Sequence, residues 1–138
     1  MPIEIVDSGL ASMALGLVVA RVAAQAGMGT GLADLAALAR DLASRTRLLV
    51  MVDTLDYLAK GGRIGKAQAF LGSLLDVKPL ITLRDGELHP YERARTRRRG
   101  LDRLAEFAGD QGAVESLAVL HGTTPADAQS LLDRLAGL

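Results

Sequence analysis

The stretch "VKPLITLRDGELHPYERAR", residues 77–95, carries the clearest local signal of secondary structure in the sequence. Asp85-Gly86 stands between two β-like runs, and Asp-Gly is a preferred pair for the two-residue turn of a tight hairpin. The stretch therefore predicts two adjacent antiparallel strands. A sheet that contains such a hairpin among helices cannot be purely parallel.

Outward from this hairpin, hydrophobic periodicity predicts alternating strands and helices. Strands are predicted at residues 3–8, 47–53 and 115–122, in addition to the two of the hairpin. Helices are predicted at residues 9–29, 31–46, 54–60, 65–76, 96–108 and 123–138. We predict an α/β (α+β) fold of two layers, with a mixed sheet of about five strands packed against helices. Residues 1–138 would form a single domain.

Composition excludes several classes of function. The chain has 138 residues, of which 49% are hydrophobic and only 3% aromatic, so it offers little surface on which bases could stack. Its formal net charge of zero argues against nucleic acid as a partner. It has no cysteine and two histidines, and we predict no metal site and no cofactor. No Ser/His/Asp set or carboxylate pair stands out, so we predict that the chain is not an enzyme.

The most apolar stretch, residues 9–29, is predicted to be a buried helix. Arg21 interrupts it, whereas a membrane span needs about 20 uninterrupted apolar residues. Glu4 and Asp7 precede it in place of the basic region of a secretory signal. We therefore expect a cytoplasmic protein without stable membrane insertion.

The glycine-rich segment "LAKGGRIGKAQ", residues 58–68, has the residues of an anion-binding loop. It is not a Walker-type phosphate loop, because its glycines are too close together, it lacks the hydroxyl residue and it follows a helix. A corner between helices is favoured, with Gly61 and Gly62 ending one helix and Gly65 permitting close packing. That interpretation leaves Arg63 unexplained, although a helix N-terminus beside it would also attract an anion.

A second basic segment, "ERARTRRRG", covers residues 92–100. Its arginines are Arg93, Arg95, Arg97, Arg98 and Arg99. Basic residues at a helix N-terminus oppose the helix dipole, which makes an anionic partner or an acidic protein surface a reasonable hypothesis. A solvated basic face is an equally good hypothesis from the residues alone. Nucleic acid ranks third, because neither the charge nor the aromatic content supports it.

Three stretches together resemble the DegV family of bacterial fatty-acid-binding proteins. They are "IVDSGLASMALGLVV", "VDTLDYLAKGGRIGKAQAFLGSLLDVKPLITLRDGEL" and "ERARTRRRGLDRL". The middle one is long and specific, and all three occur in the order of the family. The resemblance covers nearly the whole chain.

The resemblance implies a carrier rather than a catalyst. The intact protein would hold one long-chain fatty acid and present its carboxylate to a separate ATP-dependent fatty acid kinase, for phospholipid synthesis. Arg63 would belong to the network around the carboxylate, and Arg95, with Arg97, would lie on the surface that docks the kinase. The predicted lining of the tail tunnel comprises Ala14, Leu17 and Met51.

The resemblance also implies that other parts of the site lie outside this sequence. Family members carry a Ser/Thr-rich motif in an N-terminal domain and a His-Thr-Gly-Pro-Gly motif in a final strand, and neither is present here. We therefore expect a second-domain fragment. By itself it should bind fatty acid weakly or undetectably, and it should self-associate through an exposed apolar face. The alternative is a dimerisation or docking module that acts through Arg93–Arg99 without binding lipid.

Overall fold

The computed structural model describes residues 2–71 and 77–138. Its helices are α1 (Ser12–Gly27), α2 (Leu32–Arg45), α3 (Asp56–Lys60), α4 (Arg97–Gly109) and α5 (Pro125–Leu135), and a 3₁₀ helix covers Gly65–Phe70. Its strands are β1 (Leu49–Met51), β2 (Lys78–Arg84) and β3 (Glu87–Ala94). Two compact units can be distinguished: one extends to Leu48 and includes Leu83–Gly86, and the other comprises Leu49–Thr82 and Glu87–Leu138. The single-domain organisation stays a prediction.

The predicted hairpin is confirmed. Strands β2 and β3 are joined by Asp85 and Gly86, whose φ angles are 51° and 76°. Positive φ at both central residues is characteristic of a type I′ turn, whose twist matches that of the flanking strands. Aspartate tolerates this conformation and glycine adopts it freely, which explains why this dipeptide occupies the turn.

The sheet has the order β1-β2-β3, so that β2 is its central strand. β1 runs antiparallel to β2, with Leu49 opposite Thr82 and Met51 opposite Leu80. Leu80 is 0% exposed, as expected for a strand that is covered on both faces. Pro90 lies in β3, at the sheet edge, where its missing N–H is tolerated.

Among the described residues the sheet contains three antiparallel strands, so the prediction of about five strands in a mixed sheet was wrong. The α/β class itself is confirmed. Residues 3–8 and 115–122 form no strand, although both runs have strand-like sequences. A strand exists only where its backbone groups meet a neighbouring strand, and hydrophobic pattern alone does not supply that neighbour. Ile5, at 88% exposed, lies on a segment without such pairing.

The first unit contains the two helices predicted for its sequence, but α1 buries only Ala14 and Val18, so the prediction that residues 9–29 form a buried helix was wrong. α1 and α2 pack together, and each buries a narrow stripe, represented by Val18 in α1 and Leu42 in α2. Arg40 of α2 is joined to Glu4 by a 2.6 Å ion pair. No helix in residues 2–71 or 77–138 has the length and apolarity to cross a membrane.

The second unit packs helices against the sheet around two apolar clusters. Leu55, Ala67 and Ile81 form one cluster beside the sheet. Ala108 of α4 and Leu131 and Leu135 of α5 form the other. α4 also packs against β1 and β3. Leu74 and the end of the helix predicted at residues 65–76 lie outside the described residues.

Candidate functional site

The glycine-rich segment turns between α3 and the 3₁₀ helix. α3 ends at Lys60, and Gly62 adopts a φ of 66°, which reverses the chain direction at low conformational cost. The N–H of Arg63 then donates a 2.9 Å hydrogen bond to the carbonyl of Leu58. This bond anchors the backbone of Arg63 to the preceding helix.

Gly65 brings this segment against β3. Its φ is 52°, and a Cβ at this position would lie 2.9 Å from the carbonyl oxygen of Leu88 and 3.0 Å from its nitrogen. No side chain fits between these two backbones, so only glycine permits the approach. The corner between helices predicted from the sequence is therefore confirmed, with a 3₁₀ helix as its second element.

The side chain of Arg63 is exposed. It forms no hydrogen bond or ion pair with another residue in the described ranges. A guanidinium presents planar donors that match a carboxylate or a phosphate. An ordered backbone with an unengaged guanidinium can therefore bind an anion.

Arg97, in contrast, is held within the second unit. Its Nε donates to Oδ2 of Asp127 at 2.5 Å, and its Nη1 lies 3.3 Å from Oδ1 of Asp53. The same Asp53 oxygen lies 2.9 Å from Nζ of Lys78. The hydrogen bond and charge of Lys78, with the charge of Arg97, lower the pKa of the Asp53 carboxyl. Arg97 thus joins the start of α4 to α5 and to the segment after β1.

The other arginines of residues 92–100 differ in how far they are engaged. Arg93 lies over the ring of Phe70, and Arg99 approaches Glu106 at 3.7 Å. Arg95 and Arg98 are exposed, and neither has an ion-pair or hydrogen-bond partner among the described residues. Within this segment, Arg95 and Arg98 are thus the arginines whose guanidinium groups no other described residue engages.

An open cleft of about 540 Å³ lies between α4 and α5. Its lining residues are Arg97, Arg98, Leu101, Asp102, Asp127, Ser130 and Arg134. Two of its arginines are paired with aspartates across the helices, Arg97 with Asp127 and Arg134 with Asp102. Walls that carry both positive and negative side chains do not suit an alkyl tail. The tail would displace water from these charges, and it has no polar group to replace that water.

The predicted tail-lining residues lie in both units. Ala14 is 5% exposed and Leu17 is half-buried, both on α1 of the first unit. Met51 lies in β1 of the second unit, where its Sδ fills the space left by the missing side chain of Gly100. Their role as tunnel lining stays a prediction, as do the roles of Arg63, Arg95 and Arg97.

Sequence reasoning missed Asp53 and the contacts of Arg93. Asp53 is 44 positions from Arg97 in the sequence, so no local pattern signals their pairing. Arg93 is 24 positions from Ala69, to whose carbonyl it donates. In the part of the chain that the structure describes, no group of acidic or histidine residues is arranged to hold a metal ion.

A family model and a curated relative both match this chain over nearly its whole length. A family model described as "Uncharacterised protein, DegV family" matches residues 1–137. A DegV domain-containing protein of Streptomyces coelicolor is 42% identical over 98% of this chain and 49% of its own length. The chain thus spans about half the length of that relative.

Two solved structures are similar in both sequence and fold. A fatty-acid-binding DegV family protein from Thermus thermophilus is 34% identical with a TM-score of 0.72, over 78% of this chain and 39% of its own. DegV from Bacillus subtilis, described as a fatty acid binding protein, is 31% identical with a TM-score of 0.78, over 96% of this chain and 48% of its own.

Proposed function

This chain belongs to the DegV family, and we propose on that premise that it forms part of a fatty-acid carrier. The observation that carries the proposal is its similarity, in sequence and fold, to the fatty-acid-binding proteins of Thermus thermophilus and Bacillus subtilis. The chain covers 39% of the first and 48% of the second. The remainder of a complete site would be supplied by residues that this chain does not cover.

Arg63 is proposed to bind the carboxylate. Its backbone is anchored by the bond to Leu58, while its side chain is free of any partner within the described residues. A carboxylate taken out of water needs charged or polar donors, and a guanidinium supplies two in one plane. A hydrogen bond between charged groups contributes about 1.5–3 kcal/mol.

The tail is proposed to lie against apolar residues that include Ala14, Leu17 and Met51. Each CH₂ group that leaves water contributes about 0.8 kcal/mol, so a long tail supplies most of the affinity. The carboxylate then supplies the selectivity for an acid over an uncharged lipid. The charged cleft between α4 and α5 is not part of this path.

The kinase is proposed to dock on the basic segment at residues 92–100. Arg95 is exposed and unengaged among the described residues, so its guanidinium is available to an acidic surface. Arg97 is committed to Asp53 and Asp127, and it supports this surface through the start of α4. A carrier of this kind transfers no group itself, since the kinase would form the acyl phosphate from ATP.

Fatty-acid binding by this chain alone is proposed to be weak, because residues that it does not cover would supply the remainder of the site. The chain alone is also proposed to self-associate. Ile3 and Ile5 are 77% and 88% exposed, and Val19 on α1 is 56% exposed. Exposed apolar residues of this kind favour self-association, which sedimentation at increasing concentration would reveal. A clean monomer at high concentration would contradict that expectation.

The first experiment tests carboxylate recognition. This chain is joined to the part of the Streptomyces coelicolor relative that it does not cover, and the product is called the joined protein. A long-chain fatty acid and the alcohol of the same length are titrated into it by calorimetry. We expect the acid to bind more tightly, and Arg63→Ala to reduce that preference about 10- to 100-fold.

The matched control is Arg84→Ala, which removes an exposed arginine outside both basic segments. It should leave the acid preference unchanged. Equal affinity for acid and alcohol in the joined protein, or an unchanged preference after Arg63→Ala, would refute carboxylate recognition by this residue.

The second experiment separates the carrier from the docking module. A fatty acid kinase subunit is mixed with ATP and the loaded joined protein, and release of ADP is followed. Arg95→Ala should reduce ADP release while leaving lipid affinity unchanged. If the joined protein binds no lipid but still binds the kinase through Arg95, the docking module is the correct function.

A further inference from the structure

Strand β3 holds the 3₁₀ helix Gly65–Phe70 at both of its ends. At the start, Gly65 lies against the backbone of Leu88, and Lys66 forms a 3.2 Å ion pair with Glu87. At the end, Arg93 reaches over the last two residues of the helix. A helix this short is not stable by itself, so its position depends on these attachments.

Arg93 makes two directional contacts with the C-terminal end of the 3₁₀ helix. Its Nη2 donates to the carbonyl of Ala69 at 3.3 Å, and its guanidinium carbon lies 4.3 Å from the centre of the Phe70 ring. Helix C-terminal carbonyls lack partners within the helix, and a cation satisfies one of them here. A guanidinium over an aromatic face adds a further attraction of about 0.5–2 kcal/mol.

Simple packing does not explain an arginine at this position. Its Nε is buried and has no hydrogen-bond partner among the described residues, which is a cost that an apolar side chain would avoid. The planar group at the tip of the side chain is what makes both contacts. The guanidinium therefore contributes contacts to the 3₁₀ helix that an apolar side chain could not make.

The 3₁₀ helix is in turn the support of Arg63. Ile64, the next residue, packs into the apolar cluster of Leu55, Ala67 and Ile81. Its carbonyl accepts a 3.1 Å hydrogen bond from the N–H of Ala67 inside the 3₁₀ helix. On its other side, the N–H of Arg63 donates a 2.9 Å hydrogen bond to the carbonyl of Leu58 in α3. A shift of the 3₁₀ helix would therefore be transmitted directly to Arg63.

We propose that Arg93 is a positioning residue, which fixes the 3₁₀ helix through Ala69 and Phe70 and thereby orders Arg63 for the carboxylate. The inference rests on the proposed function, because Arg63 must bind the acid for its order to matter. An ordered guanidinium loses less conformational freedom when it binds, so affinity rises without any new contact.

The first test measures order in this chain without ligand. Backbone amide exchange is followed by mass spectrometry in the wild type and in Arg93→Ala, with Arg98→Ala as the control for loss of a nearby arginine. Arg93→Ala should accelerate exchange at residues 63–71 and leave α5 unchanged. Unchanged exchange at residues 63–71 would overturn the proposal. If Arg93→Ala does not fold, Phe70→Leu removes the stacking face and should give the same local acceleration.

The second test measures selectivity in the joined protein. The ratio of fatty acid affinity to fatty alcohol affinity should fall about threefold or more in Arg93→Ala and less in Arg93→Lys, which keeps the cation. In the Arg63→Ala background, Arg93→Ala should cause no further fall, because the group that it positions is gone. A fall of equal size in both backgrounds would overturn the proposal.

The effects of Arg63→Ala and Arg93→Ala on the acid preference distinguish carboxylate binding by Arg63 from its positioning by Arg93. If Arg63→Ala leaves the acid preference unchanged, carboxylate binding by Arg63 fails, whatever Arg93 does. If Arg63→Ala abolishes the preference and Arg93→Ala leaves it intact, only the positioning role of Arg93 fails.

Discussion

Replacing Gly65 by alanine tests the close approach on which the glycine-rich segment depends. The substitution has two costs. A non-glycine residue at a φ of 52° costs about 1–2 kcal/mol. The new methyl would also lie 2.9 Å from the carbonyl oxygen of Leu88 and 3.0 Å from its nitrogen. Because both of these atoms belong to the backbone of β3, the 3₁₀ helix must move away from the strand. Such overpacking costs about 1–3 kcal/mol. We expect the free energy of unfolding to fall by roughly 2–5 kcal/mol.

Gly62→Ala provides the matched control within the same segment. Gly62 has a φ of 66°, but nothing lies within 4 Å of a Cβ built on it, so only the conformational cost applies. Urea unfolding followed by circular dichroism at 222 nm gives both values, with comparison of the slopes to confirm the same transition. Equal destabilisation by the two substitutions would refute the argument that Leu88 excludes a side chain at Gly65.

Two further predictions concern the carboxyl group of Asp53 and the buried side chain of Leu80. The ion pair with Lys78 lowers the pKa of Asp53, so the stability that it contributes is present above the ordinary aspartate pKa and is lost as the pH falls through the lowered value. An NMR titration should show that Lys78→Ala raises the pKa of Asp53 toward its usual range; an unchanged pKa would contradict the assignment. Leu80→Ala should lower the free energy of unfolding by about 2–5 kcal/mol, because the side chain is 0% exposed. Leu120→Ala should change it by less than about 0.5 kcal/mol, since Leu120 is 56% exposed, and similar urea midpoints for the two would be inconsistent with this core.

Features that depend on neighbouring residues in the sequence could be predicted well. The Asp85-Gly86 turn requires positive φ, and both residues adopt it. α5 begins at Pro125, within the helix predicted at residues 123–138, and proline is favoured at the first position of a helix. In both cases the physical cause lies within a few positions of the element itself.

Features that depend on distant partners could not be predicted. The runs at residues 3–8 and 115–122 have strand-like sequences, but backbone pairing rather than side-chain pattern decides whether a strand forms. The engagement of Arg97 by Asp53 and Asp127, and of Arg93 by Phe70, likewise follows from the fold. Five arginines that are similar in the sequence therefore differ in availability, and only the structure distinguishes Arg95 from Arg97.

Native mass spectrometry of the joined protein, purified from a bacterial host, tests whether this chain is part of a fatty-acid carrier whose carboxylate site includes Arg63. We expect one retained long-chain fatty acid per protein, with occupancy reduced by Arg63→Ala and unchanged by Arg84→Ala. A folded joined protein that carries no lipid, and takes up none when fatty acid is added, would contradict it.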